Sequence, residues 1–304
     1  MRRIANRADL DAALGRVQAW FSGKIGLAAT NLATGEWVEI DADRLYPTAS
    51  VIKLAVLVEV FRQAAAGHIR LDDRIAMTAA DRVAGSGVLK ELAPGLAPTV
   101  RDLATAMIVL SDNTATNMLI DLLGGVEPIN ATTRDRLGLP KIVLHRRIDF
   151  GEIGPDARRF GESSPRDMAR LAAAMARGEV VDAAASAAML DILRRQQYLN
   201  QVPRYLAFNP HADALGEPQT VWVGCKTGMT TGVRADAGVI HLPDGVEIAY
   251  CAMTEESADR AMTEEAEGEI ANGLIGRALA EYWWPGGAPP GALRESAWVD
   301  AVLG

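Results

Sequence analysis

The sequence predicts an α+β fold, an α/β sandwich in which helices flank one antiparallel sheet and an all-helical lobe stands beside it. Three observations predict it: strand-like runs occur near both ends of the chain, the middle third is helical, and a long helix follows the last strand. We expect a single domain, residues 1–304, with an α/β lobe at about 9–45 and 215–284, a helical lobe at about 46–214 and a tail at 285–304. The helical lobe is then an insertion between strands that share one sheet.

The chain begins with a helix, a hairpin and a second, buried helix. Apolar residues three or four positions apart predict the first helix over residues 9–22. Short apolar runs at 25–30 and 37–40 flank an Ala-Thr-Gly turn and predict the hairpin. Residues 50–66 are almost continuously apolar and end at Gly67, which is typical of a buried helix with a glycine stop.

Three more helices are predicted in the middle of the chain. A capping-box pattern predicts a helix over 99–110, and the next helix, over 114–123, ends at a Gly-Gly pair. A serine followed by a proline at 164–165 predicts the start of a third helix, which stops near Gly178. The glycine-rich residues 140–163 predict a long loop, and loops of that length are often functional.

The last third of the chain returns to strands. These are predicted at 220–227, 238–242 and 246–253, the latter two joined by a Pro-Asp-Gly turn. A long helix follows over about 257–284. The Pro- and Gly-rich residues 285–304 predict a surface extension.

Composition excludes several classes of protein. With 49% hydrophobic and 23% charged residues, the chain is typical of a soluble globular protein. Its 31 Lys and Arg residues stand against 39 Asp and Glu residues, a net charge of −8, so we expect no nucleic-acid partner. Cys225 and Cys251 are the only cysteines, and we expect both to be free. No metal-site spacing occurs, so we expect no metal and no cofactor.

The hydropathy pattern gives no sign of a membrane segment. No apolar run of about 18 residues occurs, so we expect no membrane span. The first 20 residues lack the apolar core of a signal peptide. The chain as written is therefore expected in the cytoplasm, or in the periplasm or outside the cell if a signal was removed. We expect a monomer that acts on a small-molecule substrate.

Several motifs of other hydrolases are missing from the sequence. Neither the G-x-S-x-G serine elbow, nor the P-loop, nor the H-E-x-x-H zinc motif occurs. The four histidines are scattered along the chain. A histidine-based triad and a zinc hydrolase are therefore not expected.

Three other motifs occur in order along the chain. They are S-x-x-K at 50–53, S-D-N at 111–113 and K-T-G at 226–228. The first opens the buried helix, the second joins two helices, and the third ends a strand. One such motif arises readily by chance, whereas three in this order on elements of the right kind point to a catalytic site.

The first motif can make a serine nucleophile. Positions i and i+3 share a helix face, so the Lys53 amine is expected to reach the Ser50 hydroxyl. The positive helix N-terminus and the apolar residues that follow disfavour the ammonium, and Lys226 adds like-charge repulsion. A neutral Lys53 can then accept the Ser50 proton, which activates the serine without a histidine.

The other two motifs supply polar groups around the serine. Ser111 can relay a proton to a leaving nitrogen, and the Asn113 amide can hold a substrate carbonyl; an ordinary helix cap is the alternative use of such residues. We expect Asp112 to be structural, bonding loop backbone. On the strand, alternation puts Lys226 and Gly228 on one face, and Gly228 lets a substrate lie against the strand edge.

With these motifs the sequence resembles the class A β-lactamases and their penicillin-binding-protein relatives, which carry the same trio. Residues 25–36, 110–117 and 231–240 also look like family segments, so the resemblance extends over about 9–284. It implies a β-lactamase/transpeptidase-like fold. It also implies a serine hydrolase that cleaves the cyclic amide of a β-lactam through an acyl-enzyme on Ser50, followed by attack of water.

The resemblance assigns further roles to this sequence. It implies that the Lys226 charge belongs to the site, that Thr227 binds the substrate carboxylate, and that the N–H groups of Ser50 and Met229 form an oxyanion hole. Arg234 stands eight residues after Lys226, where this family often has a carboxylate-binding arginine.

One family feature is missing. In class A enzymes a glutamate of an E-x-x-L-N motif activates the deacylating water, and that motif does not occur here. We expect Glu152, in the loop at 140–163, to take this role. Two alternatives remain open: a DD-peptidase, amidase or esterase of the same fold, and a penicillin-binding sensor that is acylated without turnover.

Overall fold

The protein is described by a computed structural model over residues 4–304, so the first three residues of the expected domain lie outside the described part. Its main sheet has five antiparallel strands in the order β2-β1-β8-β7-β6, and a small sheet has the order β3-β5-β4. The strands are β1 (Lys24–Asn31), β2 (Trp37–Ile40), β3 (Tyr46–Pro47), β4 (Val143–Leu144), β5 (Gly161–Ser163), β6 (Trp222–Thr230), β7 (Val233–His241) and β8 (Glu247–Glu255).

Ten α-helices surround the sheet in the part of the chain described. They are α1 (Arg7–Trp20), α2 (Lys53–Ala65), α3 (Val100–Val109), α4 (Asn113–Leu122), α5 (Val126–Ala131), α6 (Phe150–Ile153), α7 (Pro165–Ala176), α8 (Ala183–Arg194), α9 (Ala212–Leu215) and α10 (Glu267–Trp283). None of the helices within residues 4–304 is both long and apolar enough to cross a bilayer.

The predicted α+β class is confirmed, because strands from both ends of the chain form one sheet. β1 pairs along its whole length with β8, which places Ala28 opposite Cys251 although more than 200 residues separate them in the printed sequence. The insertion between β2 and β6 is mainly helical, but it also contains the small sheet β3-β5-β4, so the lobe is not all-helical as predicted. The five-stranded sheet is therefore complete only when strands from both ends of the chain are present.

The sheet is buried on both faces. Successive residues of β1 belong to different cores: Ala28 belongs to the core that includes residues of α2, α3, α4 and α7, whereas Leu27 and Ala29 belong to the core that includes residues of α1 and α10. This follows from the two-residue period of a strand. Cys225 and Cys251 are both free and buried, as predicted, and Cys225 faces the α1 and α10 side.

The segment that carries the first motif differs from a simple helix start. Residues Ala49–Ile52 form a 3₁₀ turn, and α2 begins only at Lys53. Ala49 has a φ of 42°, in the left-handed region, so the chain turns sharply before the serine. Ser50 thus lies in a tight turn ahead of the α-helix rather than in its first turn.

The C-terminal part departs from the sequence prediction in three places. β7 begins five residues before the predicted strand at 238, because the buried charged residues Arg234 and Asp236 interrupt the apolar pattern. α10 starts at Glu267, ten residues later than predicted. The segment after Trp284 is not a surface extension, since Val299 and Leu303 are buried against α1.

Candidate active site

A cavity of about 700 Å³ opens at the end of β6. Its walls come from the 3₁₀ turn at Ala49–Ile52, the junction of α3 and α4, the residues around α6, and the end of β6. The predicted site residues that line it are Ser50, Ser111, Asn113, Thr227 and Met229. The structure therefore brings the three sequence motifs together around one space.

Gly228 determines how closely β6 approaches Ser50. A Cβ atom at this glycine would lie 2.8 Å from the Ser50 amide nitrogen, 2.8 Å from the Thr48 carbonyl oxygen and 3.1 Å from the Ala49 Cβ. Backbone atoms cannot move aside as a flexible side chain can. Only glycine therefore lets the strand end, which carries Met229, lie against the turn that carries Ser50.

Ser50 itself is partly buried and lines the cavity. Within residues 4–304 its hydroxyl has no hydrogen-bond partner, so the expected bond to Lys53 is not formed in this structure. An unpartnered hydroxyl facing a cavity is free to orient toward a substrate carbonyl.

Lys53 is fully buried beneath the cavity. Its Nζ donates to the Ser111 carbonyl oxygen at 2.7 Å, to Ser111 Oγ at 3.1 Å and to Asn113 Oδ1 at 2.8 Å. Burial lowers the pKa of Lys53 well below its usual value, and the charge of Lys226 lowers that pKa further, against the opposing effect of Asp112. The structure thus disfavours the ammonium form next to two serines.

The turn between α3 and α4 is held in an unusual conformation. Ser111 has a φ of 52°, which projects its carbonyl and hydroxyl toward Lys53. Asp112 caps α4 by accepting from Ala115 N at 2.9 Å, and its other oxygen accepts from Val88 N at 2.7 Å and Leu89 N at 2.8 Å. The structural role expected for Asp112 is confirmed.

Both the oxygen and the nitrogen of the Asn113 side-chain amide form hydrogen bonds. Its oxygen accepts from Lys53, and its Nδ2 donates to the Ala84 carbonyl oxygen at 2.8 Å. An amide nitrogen has two N–H bonds, so one donor is left for a ligand in the cavity.

Lys226 is the second buried amine of the site. Burial lowers the pKa of Lys226 to about 8, while Cys225 and Asp236 act in the opposite direction. Its Nζ donates to the Thr227 carbonyl oxygen. Thr227 is buried apart from its contact with the cavity.

Asp236 lies fully buried on β7 opposite Thr227. It accepts from Val202 N at 3.0 Å and from the Tyr250 hydroxyl at 3.1 Å, and burial raises its pKa to about 7. This carboxyl ties the 3₁₀ turn at Val202–Tyr205 to β7 and β8, next to the strand that carries the third motif.

Two expected site residues are not brought to the cavity. Glu152 lies on α6 with its side chain 66% exposed, and its Oε2 accepts from Arg146 Nη1 at 2.6 Å. It is not among the residues that line the cavity. The short α6 turns this carboxylate outward to Arg146, which corrects the expectation that it activates a water beside Ser50.

Arg234 is the second correction. It is 2% exposed and does not line the cavity. Its Nε donates to Glu269 Oε1 at 2.8 Å, and further N–H groups donate to carbonyl oxygens of the chain. Those acceptors belong to Thr230, Val233 and Ala261. The guanidinium is thus occupied by the protein itself rather than offered to a substrate carboxylate.

Several polar residues at the site were missed from the sequence. Among those that line the cavity are Ser86, Asn200, Gln201 and Glu269. Ser86 donates to the Ser111 carbonyl oxygen at 2.7 Å, and its Gly-Ser-Gly setting is a turn signal that could have found it. Gln201 donates to the Gly228 carbonyl oxygen at 3.2 Å, but no local pattern marks it.

A model of the beta-lactamase enzyme family matches residues 9–283. A beta-lactamase of Streptomyces cellulosae is 31% identical over 237 residues, which is 77% of this chain and 72% of that protein.

Two solved structures superpose on more than nine tenths of the chain. The crystal structure of a beta-lactamase from Sphaerobacter thermophilus has a TM-score of 0.79 at 33% identity, covering 91% of this chain and 97% of that chain. The acyl-enzyme complex of a PBP-A mutant with penicillin G has a TM-score of 0.76 at 26% identity, covering 92% of this chain and 97% of that chain.

Proposed function

The chain belongs to the beta-lactamase enzyme family, and from this premise we propose that it hydrolyses β-lactams through an acyl-enzyme on Ser50. The observation that carries the proposal is the pair of an unpartnered serine hydroxyl in the cavity and a fully buried amine, Lys53, beneath it. A buried lysine of lowered pKa is the kind of base that a serine needs when no histidine is near.

The acylation step uses the groups around Ser50. Its Oγ attacks the carbonyl carbon of the lactam, and its proton passes to the lone pair of the neutral Lys53 amine. A neutral amine has only two N–H bonds, so it donates to at most two of the three oxygen atoms around its Nζ while the lone pair accepts the proton. The charge on the carbonyl oxygen is stabilised by the N–H groups of Ser50 and Met229. Each such donor contributes about 3–4 kcal/mol in comparable sites.

The ring then opens at the lactam nitrogen. The C–N bond breaks, and the nitrogen takes a proton from Ser111 Oγ, which recovers one from Lys53 through their 3.1 Å contact. Lys226 keeps a positive charge beside this relay, and Asn113 and Thr227 hold the substrate from either side of the cavity.

Deacylation requires a base for the attacking water, and we assign this step to Lys53 as well. The carboxylates that line the described cavity are Glu264 and Glu269, and the second is engaged by Arg234 and by Asn200. Glu152 has no part in this proposal because its carboxylate pairs with Arg146 outside the cavity.

The cavity rim favours an apolar acyl side chain. Phe150, Tyr198, Met229 and Met262 are all more than 40% exposed, and all line the cavity. Exposed apolar side chains grouped around a cleft indicate a binding surface. A β-lactam with an aromatic side chain, such as penicillin G, is therefore a suitable probe.

Turnover of a chromogenic cephalosporin, followed together with intact mass, tests the proposal. We expect multiple turnovers, complete loss of turnover and adduct in Ser50→Ala, and retained labelling in the matched cavity variant Ser86→Ala. A stable adduct without turnover would favour the penicillin-binding sensor. No adduct from any β-lactam, combined with cleavage of a D-alanyl peptide or an ester, would favour the peptidase or esterase alternative.

We further propose that the protein works as a monomer without a nucleic-acid partner. The net charge of −8 supports the second point, and the meeting of all three sequence motifs within one chain supports the first, since the proposed site needs no residue from a second copy. Light scattering at working concentration tests the monomer, which a dimer mass would refute.

A further inference from the structure

Gln201 is a buried side chain at the cavity to which the proposed reaction gives no role. It is 2% exposed and lines the cavity beside the end of β6. Its Nε2 donates to the Gly228 carbonyl oxygen at 3.2 Å, and its Oε1 accepts from Asn272 Nδ2 at 2.9 Å. Buried polar atoms cost free energy unless they are hydrogen-bonded, so both contacts favour one orientation of this amide.

The carbonyl that Gln201 contacts belongs to the same peptide unit as a proposed oxyanion-hole donor. The Gly228 C=O and the Met229 N–H are the two polar groups of that unit. The described residues contain no cis peptide bond, and in a planar trans peptide these two groups point in opposite directions. A side chain that fixes the direction of the Gly228 carbonyl therefore also fixes the direction of the Met229 N–H.

This peptide unit lies where the sheet gives it the least support. β6 is an edge strand of the five-stranded sheet and ends at Thr230, one residue after Met229. Within the sheet it pairs with β7 alone. Glycine restricts its own backbone less than any other residue, and Gly228 is needed here for the close approach to Ser50. A hydrogen bond from outside the sheet therefore limits a rotation that the strand end would otherwise allow.

The segment that carries Gln201 is anchored to the rest of the fold. The next residue, Val202, donates from its backbone N–H to Asp236 Oδ2 at 3.0 Å. Gly276 of α10 lies directly against that residue, since a Cβ at the glycine would be 2.1 Å from the Val202 carbonyl oxygen. Asn272, which holds the Gln201 amide, lies one turn earlier on the same helix and is fully buried. Gln201 therefore connects the Gly228 carbonyl to β7 and α10.

We propose that Gln201 is a positioning residue of the oxyanion hole, which aims the Met229 N–H at the substrate carbonyl oxygen by holding the Gly228 carbonyl. A carbonyl that accepts a hydrogen bond also polarises its peptide unit, which makes the N–H of that unit a stronger donor. The inference rests on the proposed acylation of Ser50 and adds a residue that acts on its transition state. Gln201 does not have to contact the substrate for this role, so binding of the intact lactam should not depend on it.

Three measurements on Gln201→Met test the inference, because methionine is unbranched like glutamine but has no N–H to donate. They are the acylation rate with penicillin G, the Ki of phenylboronic acid, and the Kd of penicillin G in a Ser50→Ala background. Ser50 Oγ adds to the boron atom, which becomes tetrahedral and negatively charged like the centre formed in acylation. Complete removal of an oxyanion-hole donor costs about 100- to 1,000-fold in kcat, and misdirection of one should cost less. We expect acylation to slow by about tenfold and Ki to rise by about tenfold, while Kd changes by less than about twofold.

Two further variants complete the experiment. Asn272→Ala removes the side chain that holds Gln201, so acylation should slow and Ki should rise by about threefold each. It takes the place of Gln201→Met if that variant does not fold. The matched control is Gln63→Met on α2, where a buried glutamine outside the cavity donates to the Leu123 carbonyl oxygen at 3.0 Å. This control should lose stability in urea denaturation but acylate within about twofold of the parent rate.

An unchanged acylation rate in Gln201→Met, or in Asn272→Ala if only that variant folds, would overturn the inference. A Kd of penicillin G that weakens as much as the Ki of phenylboronic acid would also overturn it, since that result indicates general damage to the cavity. Failure of penicillin G to acylate the parent protein would instead refute the proposed function, and the inference with it.

Discussion

Replacement of Gly228 by alanine should damage catalysis far more than it damages folding. The new Cβ would lie 2.8 Å from the Ser50 amide nitrogen and from the Thr48 carbonyl oxygen, whereas ordinary contact begins at 3.4 Å. The strand end and the turn must therefore separate by about 0.6 Å, which moves the two N–H groups proposed for the oxyanion hole apart.

The size of the effect follows from the geometry. Misplacing catalytic groups by a fraction of an ångström to 1 Å costs up to about 100-fold in rate, so we expect acylation to slow by about 30- to 100-fold. Overpacking of this kind costs about 1–3 kcal/mol of unfolding free energy, which leaves the protein folded at room temperature. The loss should fall on kcat and kcat/KM together, because the donors act mainly in the transition state.

Quenched-flow measurement of the acylation rate, with urea denaturation of the same sample, provides the assay. The matched control is Gly224→Ala on the same strand, where the nearest atoms, 3.2–3.4 Å away, include the movable side chains of Leu190 and Arg194. That variant should acylate within about threefold of the parent rate. If Gly228→Ala also keeps its acylation rate within about threefold, the close-approach argument is refuted.

Three further outcomes are expected. The kcat/KM should decline on the alkaline side with a midpoint near pH 8, where Lys226 in the folded protein loses its proton. Lys226→Arg should remove that decline because a guanidinium stays charged. An unchanged alkaline decline of kcat/KM in this variant would exclude Lys226 as its source. Asp112→Ala should lower the unfolding free energy by about 3 kcal/mol in urea denaturation, since three backbone N–H groups lose their acceptor. A loss under about 1 kcal/mol would contradict the structural role of Asp112. Glu152→Gln should leave steady-state turnover within about twofold of the parent rate, since the exposed ion pair of Glu152 with Arg146 contributes little free energy. A trapped acyl-enzyme in this variant would show that Glu152 is the base for deacylation.

The sequence predicted the fold and much of the site because those features depend on short local patterns. The capping box at Thr99 and Asp102 and the serine cap before Pro165 are both present as predicted, since each is a hydrogen-bonded unit of four residues or fewer. The three motifs were likewise readable, because each lies at the end of an element and the fold brings those ends together.

The remaining features depend on contacts between distant residues. Arg234 looked available for a substrate because nothing near it in sequence indicates Glu269, which lies 35 positions later on another element. Glu152 looked suitable because a loop sequence does not reveal which way a single helical turn faces. The tail at 285–304 was predicted to be exposed because its Pro and Gly content is typical of a linker. Val299 and Leu303 are nevertheless buried in the core that includes α1.

Identification of the residue acylated by penicillin G tests the central claim most directly. Ser50, Ser86 and Ser111 all line the cavity, so peptide mapping of the adduct by mass spectrometry distinguishes three candidate nucleophiles. Ring opening loses no atoms, so we predict a mass gain equal to the whole penicillin, located on Ser50 and absent from Ser50→Ala. A label on Ser86 or Ser111, or one that persists in Ser50→Ala, would contradict the assignment of Ser50 as the nucleophile.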